Sequence, residues 1–497
     1  MVVSQLPTEI LLEIFFLNTN IFVDYNCLQT TISCTQVCSI WRTLLLSMPS
    51  LWAHLLHLDK LQTISNSARR EILARSRNDN LWVVGVVHDS GILGGDKILP
   101  FFVDAILFSN QWVRIEHLHI SIDAPSKKLF WPLFQRRAPN MRSLTFHALF
   151  EISSDDDKPL FLNHAPSLRQ FSSNCIPFNL TSCWIGQLRQ LSLCMPFTAY
   201  KVLLGLQLTP LLEELTISGL LLDFTVLRNK LPHVSLSHLK ILSLQDLDIH
   251  DCISFLEHIH PAYGCAINFK PDAMHDAGQF REGLDQILSA LSTRLSQYLR
   301  LHHPRIHKAE VQLSSGTFLL ECSPRQQVDT GKFKVSIRPL RGSSGPADFD
   351  QLAVSMISDL DWAVIKTLHL TLSSMSPWSI HPYATLCDLF SSITHLVVGE
   401  ETLGHILNIP TCTNLDLPDS VPFPQLDTLT ITTLEDEIMG SIRPLLRFLH
   451  FRLERRCPIQ KLIYYASSYQ ANLRGLEHLK GLQVVRRGLE GEVEYNF

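Results

Sequence analysis

Nine times between Ile115 and Tyr464 the chain carries an apolar residue, two others, a second apolar residue, one other and a third apolar residue. The complete copies are Ile115-Leu118-Ile120, Met141-Leu144-Phe146, Leu188-Leu191-Leu193, Leu212-Leu215-Ile217, Leu239-Leu242-Leu244, Ile365-Leu368-Leu370, Ile393-Leu396-Val398, Leu426-Leu429-Ile431 and Ile459-Leu462-Tyr464, with Leu168-Phe171 a partial copy. First positions 115, 141, 168, 188, 212 and 239 lie 26, 27, 20, 24 and 27 residues apart, while 365, 393, 426 and 459 lie 28, 33 and 33 apart. The last two apolar positions alternate with one residue between them, which puts both side chains on one face of a short strand. A period of this length holds one strand and its return, too little to bury an apolar face alone. Stacked neighbours can bury it, so the chain is expected to build a quasi-one-dimensional array.

Proline gives a second, independent signal. Pro139, Pro166, Pro210 and Pro424 sit two residues before a first apolar position, and Pro458 sits one before. Proline ends a helix and biases its predecessor towards extended backbone. Apolar stretches such as Tyr200 to Leu208 and Pro444 to Leu453 can supply connecting helices, giving strand, connection, helix, strand. The array resembles a leucine-rich-repeat solenoid, which implies a mostly parallel, curved sheet. The family's usual Asn or Cys three residues past the pattern is replaced by Asp123, Pro196, Leu220, Leu247, Ser373 and Leu434. Without that ladder the solenoid is expected to be irregular; an α/β domain with similar strand edges is the competing architecture.

Between Leu244 and Ile365 the pattern lapses. Phe280, Leu284, Ile287, Leu288, Leu291, Leu295 and Tyr298 fall on one face of a long amphipathic helix. Glu310 to Cys322 and Lys332 to Ile337 alternate like strands around a turn-rich Ser323 to Gly331. Arg341 to Pro346 reads as a loop. The block is expected to continue the solenoid.

The N-terminus poses a different problem. In LPTEILLEIF, Leu6 to Phe15, only Thr8, Glu9 and Glu13 are polar. Pro7, Thr8 as a cap and Glu9 near the positive dipole end mark a helix start, and the helix is expected to end near Asn18 before a polar loop to Asn26. Its apolar arc is too wide for one buried stripe, so the helix needs more than one partner. Val37, Trp41, Leu44 and Met48 then outline a second helix, stopped at Pro49.

Leu6-Pro7-x-Glu9-Ile10-Leu11-x-x-Ile14-Phe15, Val37-Cys38-x-x-Trp41-Arg42 and Pro49-x-Leu51-Trp52 together resemble an F-box of the fungal type. Thr31-Ile32-Ser33-Cys34 departs from the family's more Ala- and Leu-rich turn. The resemblance implies a small helical unit that docks on a Skp-type adaptor and through it on a cullin–RING ligase. It assigns adaptor binding to Leu6, Pro7, Ile10, Leu11, Ile14, Val37 and Trp41. An α-hairpin buried under the rest of the chain would account for the same arc.

The expected fold class is thus α/β, with an F-box at 1–60, a linker and first irregular repeats at 61–110, and leucine-rich-repeat-like solenoid at 111–260. A diverged central block at 261–350 and a C-terminal solenoid at 351–497 follow. At 46% hydrophobic, 18% charged and a net charge of −5, with basic pairs scattered, the chain carries no nucleic-acid footprint and no polybasic membrane anchor. No apolar run reaches the roughly 18–20 residues of a membrane span. The N-terminus lacks a signal peptide's cationic start, so a cytoplasmic or nuclear location is expected, with the twelve cysteines as thiols.

No phosphate-cradling loop, nucleophile elbow or zinc-protease motif occurs, so no catalytic residue, cofactor or metal is expected. Alternation places His117, His119, Thr145, Ser192, Thr216, Ser243, Thr367 and His369 on the face opposite the core, which in a horseshoe is concave. That face is read as either a solvated sheet or a protein-substrate surface. The expectation is a non-catalytic substrate-recognition subunit of a Skp–cullin–F-box ubiquitin ligase. The alternative is a solenoid interaction scaffold whose F-box works outside ubiquitination.

Overall fold

The computed structural model describes residues 6–88, 98–107, 109–123, 132–148, 159–174, 176, 178–194, 197–219, 231–271, 277–303, 305–314, 317–324, 331–338, 346–373, 380–412, 421–432, 443–465, 476–488 and 491–496. The chain divides into two compact units, 1–238 and 239–497. Among the described residues no helix is long and apolar enough to cross a membrane.

The first unit opens with four helices, α1 (Thr8–Leu17), α2 (Cys27–Cys34), α3 (Ser39–Leu46) and α4 (Pro49–Ala53). Thr8 lies inside α1 and caps nothing; Pro7 holds the cap position without a side-chain bond. Pro49, expected only to stop a helix, also starts the next one, where its missing N–H is no loss. Trp52 locks α4 onto α3 by donating Nε1–H to the Leu45 carbonyl at 2.8 Å in a buried site.

Seven strands then pair in chain order, all parallel: β1 (Leu56–His57), β2 (Leu81–His88), β3 (Ile115–Asp123), β4 (Ser143–Ala148), β5 (Gln170–Ser173), β6 (Gln190–Leu193) and β7 (Glu214–Ser218). The short β8 (Val234–Leu236) follows. The register aligns Val83, Leu118, Leu144, Phe171, Leu191 and Leu215 in one buried row. The partial repeat at Leu168 has a local cause. Its third position is Ser173, which is fully buried and whose Oγ accepts the Ile176 N–H at 3.0 Å, so a hydroxyl is satisfied where the other repeats place a hydrocarbon.

The segment 61–110, read above as linker and first irregular repeats, includes well-packed structure. After the turn of helix Leu58–Leu61, α6 (Asn66–Arg75) buries Ile72 and Arg69, and β2 pairs with both β1 and β3. That turn of helix, Leu58–Leu61, is α5. A π-helix runs over Phe101–Leu107. The connecting segments at Leu160–Asn163 and Ile185–Gln187 are 3-10 turns, whereas Ala199–Leu206 is the α-helix anticipated near Tyr200.

In the second unit β9 (Ile241–Gln245) and β11 (Ala266–Lys270) are parallel, with β10 (Ile259–Pro261) between them in the chain. β11 pairs in parallel with β14 (Phe333–Ile337). Within the block expected to be a diverged part of the repeat array, the strand direction changes. β14, β13 (Thr317–Pro324) and β12 (Ile306–Ser314) are antiparallel neighbours. Two residues separate β12 from β13, and a parallel crossover needs a dozen or more, so only a hairpin fits. Parallel order resumes through β15 (Thr367–Ser373), β16 (His395–Val398), β17 (Thr428–Ile431), β18 (Lys461–Tyr465) and β19 (Gln483–Gly488), and β20 (Gly491–Asn496) folds back antiparallel.

Leu368, Leu396, Leu429, Leu462 and Val484 form the second unit's buried row. The long helix spans Ala277–His302 and buries Leu284, Ile287, Leu288, Leu291, Leu295 and Tyr298; the Phe280 side chain lies outside the described residues. Helix Arg443–Glu454 covers the stretch expected to be helical from Pro444. The loop expected from Arg341 falls, up to residue 345, outside the described residues.

Candidate functional site

Two surfaces carry the sequence-derived candidates, and the N-terminal helices carry the first. In α1 the side chains of Leu11 and Phe15, one turn apart, point inward and are 4% exposed. Phe15 meets the Trp41 ring edge-on at 5.0 Å between centroids. Ile10, Ile14 and Leu17 share a neighbouring stripe, about 110° further round the helix, at 43, 47 and 77% exposure. The helix is apolar nearly all round because one side is core and another is bare.

The candidates therefore divide. Pro7, Ile10, Ile14 and Val37 are exposed, Leu6 and Trp41 are half-buried, and Leu11 is core. Leu11 cannot contribute a docking surface while the unit is folded, a correction to its assignment above. Sequence reasoning missed Phe16, Leu17, Val23, Tyr25, Ile40 and Leu46, all exposed. The heptad-like spacing of Ile10, Ile14 and Leu17 was the available signal for one of them; the loop residues Val23 and Tyr25 carried none.

Cys38 caps α3 by accepting the Trp41 N–H on Sγ at 3.5 Å, which puts Val37 outside the helix on a bare corner. Arg69 is buried and caps the carbonyls of Leu61 and Gln62. Trp52, stacked under the Arg75 guanidinium at 4.8 Å, completes a tight core beneath the exposed apolar surface.

The second surface is the polar sheet face. In the first unit His119, Thr145, Ser172, Ser192 and Thr216 are register partners across β3 to β7. Ser143 Oγ lies 2.6 Å from His117 Nδ1 and 2.7 Å from His119 Nε2, and His117 Nε2 lies 3.9 Å from Glu116. A carboxylate, an imidazole and a hydroxyl in sequence are the parts of a nucleophilic triad. Access and pairing argue against that use: Ser143 is 1% exposed, its hydroxyl is shared by two rings, and Glu116 is held by Arg142 at 2.9 Å.

What covers this end of the face is the loop between α1 and α2. The Phe22 ring packs against His119 at 4.8 Å, Trp82 at 5.5 Å and His117 at 5.6 Å. His54 stacks on Trp82 at 3.9 Å, and Tyr25 meets His57 edge-on at 4.6 Å. Burial is the main reason that the His54, His117 and His119 pKa values fall below the usual imidazole range, opposed at His54 and His117 by Glu116. His119, next to His117 as well, drops to about 4. Neutral rings suit this place, because a single Ser143 hydroxyl can donate to one and accept from the other. His117 and His119 thus join the helices to the sheet, and they are not free positions on a substrate surface.

Thr145, Ser192 and Thr216 remain half-buried on the first unit's face. In the second unit Ser243 is 4% exposed and its Oγ accepts from Asn268 Nδ2 and Gln245 Nε2, so it is already satisfied. Thr367 and His369 are half-buried in β15, next to Lys308 and Glu310 of β12. Burial, then Lys308 and His395, lowers His369 to about 4. The eight candidates fall in different units, five in the first and three in the second.

Residues 3–57 match the F-box-like family model. This segment is an F-box-like domain. F-box domains in general bind Skp-type adaptors, act in ubiquitin ligases and are non-catalytic. No curated protein matches the sequence. The match ends at the last residue of β1, so the F-box segment includes the first strand of the sheet.

Proposed function

We propose that the chain is the substrate-recognition subunit of a Skp–cullin–F-box type ubiquitin ligase, working in the cytoplasm or nucleus. One observation carries the reading. Ten of the 22 large apolar side chains exposed among the described residues lie between Ile10 and Leu46, within the F-box segment. Apolar surface of that density marks a protein-binding site or an aggregation liability. The stripe of Ile10, Ile14 and Leu17, with Val37 and Ile40 from the α3 end, is the docking surface for the adaptor.

The repeat region would hold the protein substrate. Thr145, Ser192 and Thr216 in one unit, and Thr367 and His369 in the other, offer small neutral polar groups on a stiff sheet. Work of this kind is proximity: a bound substrate is held near a ubiquitin-charged enzyme at high effective concentration, and the chain makes no bond itself.

The test is affinity capture of the full chain beside a variant lacking residues 1–57, read by proteomics. Recovery of a Skp-type adaptor and a cullin with the full chain, and of neither with the truncation, supports the reading. An adaptor without a cullin would favour an interaction scaffold outside ubiquitination. No adaptor at all would overturn both.

A further inference from the structure

A cleft of about 550 Å³ opens in the first unit between one face of α6, the π-helix Phe101–Leu107 and the turn carrying Gln111 and Arg114. Its size suits a small ligand. Three arginines line it, Arg70, Arg77 and Arg114, against one carboxylate, Asp104. Arg70 and Arg77 are exposed, and neither guanidinium forms a hydrogen bond or ion pair with another described residue. Arg75, their neighbour on α6, is by contrast paired with Glu71 at 3.0 Å.

Arg114 is fixed at the cleft wall. Its Nε and Nη2 donate to the Asp79 carbonyl at 3.0 and 2.6 Å, Nη2 reaches the Ser76 carbonyl and hydroxyl at 3.1 and 3.0 Å, and Nη1 is bonded to Gln111 Oε1. Each of these acceptors is neutral; the Asp79 carboxylate acts on the guanidinium only through its nearby charge, so the bonds orient the positive charge without neutralising it. Two further features single the place out. Asn66, which also lines the cleft, has its Oδ1 buried with no donor among the described residues. Arg77 is held at φ 45°, a left-handed conformation that a side chain resists, and such strain concentrates at functional positions. π-Helical turns are likewise rare and recur at binding sites.

We propose that this cleft binds a phosphomonoester whose body carries O–H or N–H donors. Arg70 and Arg77 would grip the dianion, since planar guanidinium groups match phosphate oxygens in pairs. Arg114 would add a fixed charge behind them. Asn66 Oδ1 and the Asp104 carboxylate at the rim accept from the ligand's donors. The same chemistry is met in a sugar phosphate and in a phosphorylated side chain with its flanking amides. The inference is independent of the adaptor reading, because every lining residue lies outside 3–57.

The test is calorimetric titration of the full chain, co-purified with its adaptor where one is recovered, at low salt. Glucose 6-phosphate and N-acetyl-phosphoserine methylamide are the two probes; glucose and N-acetyl-serine methylamide are the controls. Saturable binding of either phosphate probe and none of its control is expected, and the tighter probe identifies the source. Arg70→Gln with Arg77→Gln should weaken it at least tenfold with the melting temperature unchanged. Arg77→Gly alone relieves the positive φ, so it should raise or preserve melting temperature while weakening binding several-fold. Absence of saturable binding, or equal affinity in the double variant, overturns the proposal.

Discussion

Ile10→Asp and Leu11→Ala, one residue apart on α1, should have opposite phenotypes. Leu11 is 4% exposed, so its truncation is a core cavity costing about 2–5 kcal/mol of stability. Ile10 is 43% exposed at the third position of the helix. An Asp there gives up partial burial, about 1 kcal/mol or less as a surface change. It regains about 0.3–1 kcal/mol from the positive helix end. Folding is then close to neutral. In a complex that buries this stripe, the loss is an Ile transfer of about 1.5–3 kcal/mol together with an unpaired buried charge of about 3–5 kcal/mol. Even about 5 kcal/mol is more than a thousandfold in Kd, at about 1.4 kcal/mol per decade. The assay pairs thermal unfolding of each variant with adaptor affinity by surface-immobilised titration. Leu11→Ala should lower Tm and bind in proportion to its folded fraction; Ile10→Asp should keep Tm and lose the adaptor. If Ile10→Asp unfolds the chain while its folded remainder still binds, the assignment of the two faces is wrong.

Phe22→Ala should lower the Tm of the first unit, about 1–3 kcal/mol for removing a half-exposed aromatic that touches three rings, and expose Trp82 to fluorescence quenching. Because the folded-state pKa of His119 lies near 4, below its unfolded value, the unfolded chain takes up the proton first. The stabilisation is complete above about pH 6.5, falls as pH drops towards 4, and is flat below; His119→Gln should reduce that slope in Tm measured from pH 7 to 4. His117→Glu with His119→Glu places two carboxylates under Phe22 and should destabilise the helix–sheet junction, seen as faster proteolysis near residue 22. Leu215→Ala should cost about 2–5 kcal/mol in denaturant unfolding as a core truncation. Ser192→Arg with Thr216→Arg should leave Tm and adaptor recovery unchanged and lower the capture of other proteins in a proteomic comparison.

The buried rows were legible because they need only one rule. Leu118, Leu144, Leu191 and Leu215 stand at the same place in each repeat, and a parallel register follows from equal repeats placed side by side. The hairpin of β12 and β13 was harder. Alternation over Glu310 to Cys322 changes phase, from Val311 and Leu313 to Phe318, Leu320 and Cys322 across Ser314-Ser315-Gly316-Thr317, and reading the stretch simply as alternating passes over that switch. The Ser315-Gly316 dipeptide was the turn signal, and it weighed less than the pattern around it. Leu11 was misplaced for a related reason. Periodicity finds two apolar stripes on α1 but does not say which is the core, since that depends on where Trp41 arrives from another helix. Phe22 was not legible at all. Its contacts with Trp82, His117 and His119 join a loop to strands sixty or more residues away, and no local pattern encodes them.

Those contacts bear on how an F-box segment could present a substrate. A flexible linker after residue 60 would let the two parts move independently, and effective concentration would fall with its length. In the first unit the connection is of another kind. Leu56 and His57 are already strand, in register with Val83 and Val84. Gly85, at φ +135°, lets β2 run so close to α5 that a side chain there would meet the Leu58 backbone and Cβ at 3.1 Å. Asp59 accepts the Val86 N–H at 2.8 Å, and Phe22 and Tyr25 rest on the opposite face of the same strands. Helices and sheet are thus tied by backbone pairing on one side and by aromatic rings on the other. A protein held at Thr145, Ser192 or Thr216 would then stand at a fixed distance and angle from whatever binds Ile10 and Ile14. Replacing Gly85 by Val should show this, because it must push β2 away from α5: lower stability and looser geometry between the two surfaces, with both surfaces chemically intact. Unchanged energy transfer between dyes on α1 and β6 in that variant would mean that the aromatic contacts alone set the geometry.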